Sequence, residues 1–233
     1  MIVGRGLLAS AFAPHYGERS DVVVFASGVS NSGERRAAEF ERERALLSEH
    51  LSSEAATRLV YFGSCAVGNP HEPRTPYLSH KAAMEALVRA SGRGIVLRLP
   101  QVAGHSSNPN TLINFLRHHL ITGEHFTVWS HAERNLIDID DIVPIARALI
   151  EQHWGEHEVV SIAALRSTPI LEIVKAFEEA LGVKGHYSIE RKGVAFPIDT
   201  SVIAPLSHSL GIALGDGYLE RIAAKYGVIS TPG

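Results

Sequence analysis

Three stretches of the 233-residue chain limit its architecture more than any other feature: DVVVFA at 21–26, RLVYFGS at 58–64 and GIVLRL at 94–99. Each is a nearly unbroken apolar run rather than an alternation of apolar and polar residues. A strand with one wet face alternates, so these read as strands covered on both faces, as in a parallel sheet flanked by crossover helices. The intervening segments supply the helices. Leu7 to Tyr16 has helical apolar spacing and stops at Gly17, Glu34 to Leu51 is charged and amphipathic, and Tyr77 to Ala90 follows a proline-rich loop. With short strands at Met1 to Val3 and Glu158 to Ile162, the pattern predicts an α/β fold, a doubly wound parallel sheet.

After Pro100 the pattern loosens into a helix near Thr111 to Leu120, a strand around Phe126 to Trp129 and a helix at Ile142 to His153. Thr168 or a neighbour is expected to cap a further helix over Ile170 to Leu181. The expected organisation is a sheet domain over 1–163 and a small C-terminal α+β lobe over 164–233, with residues 101–135 also on the lobe's side. A net charge of -3 with scattered Lys and Arg offers no basic stripe for nucleic acid and no polybasic membrane segment. No apolar run approaches the ~20 residues that span a bilayer. The single cysteine, Cys65, has no internal disulfide partner, and with no leader before the first strand a reducing cytoplasm is expected. Neither His118 with His119 nor His153 with His157 has the carboxylate or cysteine company of a metal site, so no metal is expected.

Two places carry chemistry. GRGLLA, residues 4–9, fits Gly-x-Gly-x-x-Ala, with Gly4 for a tight turn, Gly6 for close approach of a pyrophosphate and Ala9 for helix-on-strand packing. The helix that opens at Leu7 and Leu8 then turns its N-terminus to the phosphates. Further on, Tyr77 and Lys81 are four apart and share a helix face. A phenol has a pKa of ~10, and lowering it by ~3 units corresponds to roughly 4 kcal/mol, which a lysine and an oxidised nicotinamide together can supply. Ser64 ends a buried strand about a dozen residues earlier, so Ser64, Tyr77 and Lys81 can converge on one carbonyl or hydroxyl.

VYFGSCAVG, PYLSHKAAMEALV, RLPQVAG and RNLIDIDDI occur in the order of the extended short-chain dehydrogenase/reductase superfamily, the NAD-dependent epimerase/dehydratase group, which the chain resembles from residue 1 to about 163. The resemblance implies a Rossmann-like sheet and an NAD or NADP cofactor. It implies Tyr77 as catalytic acid/base and Lys81 as the residue that lowers its pKa and bonds the nicotinamide ribose. Ser64, three residues before Val67 as in Ser-x-x-Val, becomes the hydroxyl that polarises the substrate oxygen. Pro100 and Gln101 fall in the block the family writes as Arg-x-x-Asn-Val-Tyr-Gly, Pro100 on the cofactor side and Gln101 on the substrate side; Gln101 and Ala103 depart from it. Arg134 matches an arginine that meets the diphosphate of a nucleotide-sugar substrate, a task suited to a guanidinium fork. Asp140 and Asp141 are read as helix-end residues rather than catalytic ones.

DVVVFASG resembles the family's fourth strand, so the usual second and third strands are missing and Ala26, Ser27 and Gly28 stand in the loop near the adenine ribose. The first strand then becomes an edge, which makes a homodimer or a covering lobe an expectation. Arg5, inside the glycine turn, tilts the cofactor preference toward NADP. Cys65-Ala66-Val67-Gly68 lacks the Asp-Glu pair of the family's dehydratases, so keto-sugar reduction or C4 epimerisation is expected over dehydration. The rival expectation is a catalytically silent member that binds sugar nucleotides or serves in an assembly.

Overall fold

The computed structural model describes residues 1–53, 58–106, 108–156 and 158–227; His157 lies outside them. The chain forms two units, Met1–Leu99 with Ile139–Ile162, and Pro100–Asp138 with Ala163–Gly233. The first holds β1 (Ile2–Val3), α1 (Leu7–Tyr16), β2 (Val22–Phe25), α2 (Ala37–Ser52), β3 (Arg58–Ser64), α3 (Pro76–Ala90) and β4 (Gly94–Leu99). The second unit begins with β5 (Gln101–Ala103), α4 (Leu112–Thr122), β6 (Phe126–Trp129), β7 (Glu133–Arg134) and β8 (Leu136–Asp138). The chain then returns to the first unit for α5 (Ile139–Glu151) and β9 (Val159–Ser161). It ends in the second with β10 (Thr168–Pro169), α6 (Ile170–Leu181), β11 (Tyr187–Glu190), α7 (Ile203–Ser209) and α8 (Tyr218–Gly227).

The sheet of the first unit runs β1-β2-β3-β4-β9 and every pairing is parallel. All four residues of β2 are buried, as its unalternated sequence requires. On one face Leu47 of α2 and Met84 and Val88 of α3 pack on Val23, Phe25, Tyr61 and Val96. Phe62 points the other way, and there Phe12 of α1 lies with its ring 5.3 Å away. α1 packs on α5 on that face, where the Tyr16 hydroxyl donates to Glu151 at 2.9 Å. Every step across the sheet moves one strand in the same direction. Crossovers through helices on opposite faces must therefore have opposite hands, and one pair departs from the right-handed rule for parallel crossovers. This is the arrangement left when the strands that would lie beyond β1 are omitted; the strand order no longer reverses, and β1 is the edge.

Two boundaries differ from the sequence reading. α2 begins at Ala37 rather than Glu34, because the Glu34 carboxylate accepts the amides of Arg35 and Arg36 and forms a turn of its own. α5 begins at Ile139, which puts Asp140 and Asp141 in its first turn, where the helix dipole favours them. α6 runs over Ile170–Leu181 as expected, and of the two candidate caps it is the neighbour, Pro169, that takes the N-cap, while Thr168 pairs with Arg134 across β10 and β7.

The second unit has three strand pairs, β5 with β8, β7 with β10 and β6 with β11. Buried Asn135 braces it, donating to the Ala164 and Arg166 carbonyls and accepting from the Ala164 amide. Asp138 accepts from Lys225 at 2.7 Å and Tyr226 at 2.8 Å. Among the described residues no helix is long and apolar enough to cross a membrane.

Gly4 and Gly6 separate structural from ligand-facing glycine. Gly4 has φ +133°, and a Cβ there would sit 2.5 Å from the Ala26 carbonyl oxygen; a Cβ on Gly6 meets nothing within 4 Å. In urea denaturation Gly4→Ala is expected to lose about 1–3 kcal/mol, and Gly6→Ala only about a few tenths.

Candidate active site

The carboxyl ends of β1, β2 and β3 gather the predicted residues of the first unit. The Gly4 position abuts Ala26 and Ser27, so the glycine turn meets the end of β2. Thr75 caps α3 by accepting the Leu78 amide at 3.2 Å, and Pro76 occupies the first turn, where its missing N–H is not needed. The helix then buries Tyr77, His80, Lys81, Met84, Glu85 and Val88, a stripe at spacings of three and four. Its first turn brings the Tyr77 phenol close to the Ser64 hydroxyl at the end of β3. The Ser64 oxygen also accepts the Ala66 amide at 3.3 Å, opening the short 3₁₀ turn Cys65–Gly68.

One turn along, Lys81 is held by a residue that sequence reasoning missed. Glu43 on α2 is fully buried, and its Oε1 accepts from Lys81 Nζ at 3.2 Å and from the Tyr61 hydroxyl at 2.6 Å. Its Oε2 accepts from the Val29 amide at 2.6 Å and from His80 Nε2 at 3.0 Å. Lys81 also donates to the Tyr61 oxygen at 3.1 Å and, more weakly, to the Phe62 carbonyl at 3.5 Å. Gly28 lies against this pair: a Cβ there would be 2.7 Å from Lys81 Nζ and 3.0 Å from Glu43 Oε1. A signal existed in the sequence, since Phe40, Glu43 and Leu47 follow one another at helical spacing and set this glutamate on the stripe that ends in a core leucine.

The electrostatics follow from burial. Burial pushes the Tyr77 phenol up to about 12; the Ser64 hydrogen bond opposes this, while the charges of Glu43 and Glu85 add to it. The Lys81 ammonium itself is paired with Glu43 at 3.2 Å. Burial also pushes Glu43 up, yet the charge of Lys81 and the hydrogen bonds from Tyr61, Val29 and His80 outweigh it and hold the carboxyl below its ordinary value. Lys81 lies below the ordinary lysine value, since burial outweighs the pull of Glu43. Burial pushes the Cys65 thiol up to about 12, and it hydrogen-bonds Ser161.

The glycine turn fits a dinucleotide. Gly6 is the N-cap of α1 with open space at its Cβ position and no side-chain cap, so the amides at Leu7 and Leu8 stand at an accessible helix N-terminus, with exposed Arg5 beside them. Ser27 is fixed by Arg42, which donates to its hydroxyl at 3.2 Å and its carbonyl at 3.1 Å. Of the three Lys81 protons, the one toward Phe62 is the least firmly held. Chain positions 26–28 are Ala, Ser and Gly, so the end of β2 offers no carboxylate to an adenosine ribose.

The remaining predicted residues belong to the second unit. Half-buried Pro100 precedes β5, and Gln101 opens it opposite Leu136. Arg134 lines a cavity with Arg166, Thr168, Asp216, Gly217 and Tyr218, and one of its Nη atoms donates to the Glu133 carbonyl at 2.7 Å.

Residues 9–163 match the family model for the NAD dependent epimerase/dehydratase family. The chain belongs to this family. A search of curated protein sequences returns no match. Among solved structures, this family member is similar to a UDP-galactose 4-epimerase, with a TM-score of 0.69 at 15% identity over 93% of this chain and 79% of the other. It is also similar to dTDP-glucose 4,6-dehydratase from Bacillus anthracis in complex with NAD, with a TM-score of 0.67 at 14% identity over 89% of this chain and 71% of that one. RMD from Pseudomonas aeruginosa, complexed with NADPH, gives a TM-score of 0.67 at 16% identity over 90% and 81%. At these identities the likeness is one of fold.

Two outcomes are expected. In an alkaline absorbance titration, the tyrosinate signal that Tyr77→Phe removes should rise near pH 12 rather than near 10; a phenol raised in this way contributes stability that is complete below about 10 and lost as the pH climbs through its folded value. Glu43→Ala should cost about 3–5 kcal/mol in urea denaturation by leaving Lys81 buried and unpaired, and Glu43→Leu with Lys81→Met should recover most of it.

Proposed function

We propose that this chain binds NAD or NADP on the turn after β1 and acts on a nucleotide-activated sugar, reducing a keto group or epimerising at C4. The observation that carries the reading is the approach of the half-buried Ser64 hydroxyl to the buried Tyr77 phenol at the carboxyl end of β3, with Lys81 one turn along the same helix face. Family membership supports it, as does the fold likeness to proteins named for epimerase and dehydratase activity on sugar nucleotides.

When bound, the nicotinamide would supply or take up the hydride. Ser64 donates a hydrogen bond to the reacting oxygen and Tyr77 delivers its phenolic proton to the same atom. A phenol near 12 is protonated at neutral pH and so carries the proton that a keto oxygen would receive. Lys81 gives its loosest proton to the ribose. Where the family's dehydratases carry an acid-base pair, this chain has Cys65 and Ala66. The thiol is buried, protonated and turned to Ser161, which favours reduction or epimerisation over water elimination. Arg134, with Arg166 in the same cavity, supplies cationic forks for a diphosphate. Exposed Arg5 favours NADP through contact with a phosphate.

The Glu43–Lys81 pair favours a second reading, in which the chain binds a sugar nucleotide without turnover. Titration with NADH and NADPH by nicotinamide fluorescence, followed by a panel of keto-sugar nucleotides, separates the two. The enzyme reading expects cofactor binding below the millimolar range, about tenfold or greater weakening in Lys81→Ala, and retained binding with lost turnover in Tyr77→Phe. Absence of binding at millimolar cofactor overturns it, and binding untouched by Lys81→Ala overturns the placement of the ribose.

A further inference from the structure

Glu43 joins three elements that the proposed reaction needs in register. Its Oε2 fixes the loop after β2 through the Val29 amide and α3 through His80; its Oε1 fixes Tyr61 of β3 and Lys81 of α3. His80 is itself clamped, its ring stacked on Phe40 with centroids 4.7 Å apart. A carboxylate with no exposed surface and four donors has little freedom to move, so its position dictates where the ammonium sits.

We propose that Glu43 is the positioning residue of this site: it keeps Lys81 charged in a buried setting and leaves one loosely held proton, the one on the Phe62 carbonyl, for the cofactor ribose. The inference rests on the function proposed above and deepens it. The groups facing Lys81 are Glu43 from α2, Tyr61 from β3, and Tyr77, His80 and Glu85 from α3. Glu85 is already paired with Arg98 at 2.7 Å. The loop after β2 presents the glycine backbone of Gly28. Glu43 is thus the carboxylate in contact with the ammonium, and without it burial acts on Lys81 with only the more distant Glu85 in opposition.

The test uses the full chain carrying lysine labelled with ¹³C at Cε, with Lys81→Met to assign the signal, and compares wild type with Glu43→Gln. Removing the negative charge should lower the Lys81 titration midpoint by about one pH unit or more. NADH affinity should fall about tenfold at neutral pH, and fall further as pH rises and Lys81 loses its proton, whereas wild type stays flat over the same range. A merely structural role would lower thermal stability and leave both the lysine titration and the pH profile as in wild type, which overturns the proposal. If wild type binds no NADH, the functional reading fails while the lysine titration still judges Glu43. If Glu43→Gln does not fold, Glu43→Asp serves. It keeps the charge but withdraws it by one methylene, and should leave Lys81 charged while weakening NADH binding several-fold; unchanged binding counts against the proposal.

Discussion

The site of the first unit depends on a carboxylate that has no contact with water. An isolated charge in such a place is prohibitively unfavourable, so Glu43 is tolerable only because every direction around it presents a donor. Satisfying it determines much else: Tyr61 turns its hydroxyl inward, His80 stacks on Phe40, the loop after β2 folds down through Val29, and Gly28 stays free of a side chain. The lysine drawn into this network is the one the family resemblance assigns to the cofactor, so structural satisfaction and function compete for the same three protons.

That competition explains why the phenol and the ammonium, which share a helix face, do not behave as an isolated pair would. Lys81 answers first to Glu43, and Tyr77 is left to burial and to Ser64. The carboxylate that holds the ammonium comes from α2, an element whose sequence looks like a solvated charged helix.

Much of the fold was legible because its signals are local. Unalternated apolar runs located β2, β3 and β4, the proline-rich loop before Tyr77 placed the start of α3 to within a residue, and periodicity bounded α6 at Ile170 and Leu181. What escaped was non-local. Glu43 stands among Glu39, Glu41, Arg42 and Arg44, and only its spacing to Leu47 distinguishes it from a solvated acid. The start of α2 was displaced by a side chain capturing two amides, and Thr168 was claimed by a strand partner more than thirty residues away. Of the predicted site residues, Ser64 with Tyr77 and Gly28 with Lys81 meet as side-chain direction and strand order allow. The glycine turn was readable, and so was its lack of support: β1 is an edge, and among the described residues no further strand lies on that side.

In the function proposed above, a dinucleotide would be held at its phosphates and nicotinamide end by the ends of β1, β2 and β3, with Lys81 set by Glu43. Saturation-transfer difference NMR on NADH bound to the full chain tests this most directly. The account predicts strong transfer to the nicotinamide and its ribose and weak transfer to adenine H2 and H8. Strong transfer to adenine with a silent nicotinamide would contradict it.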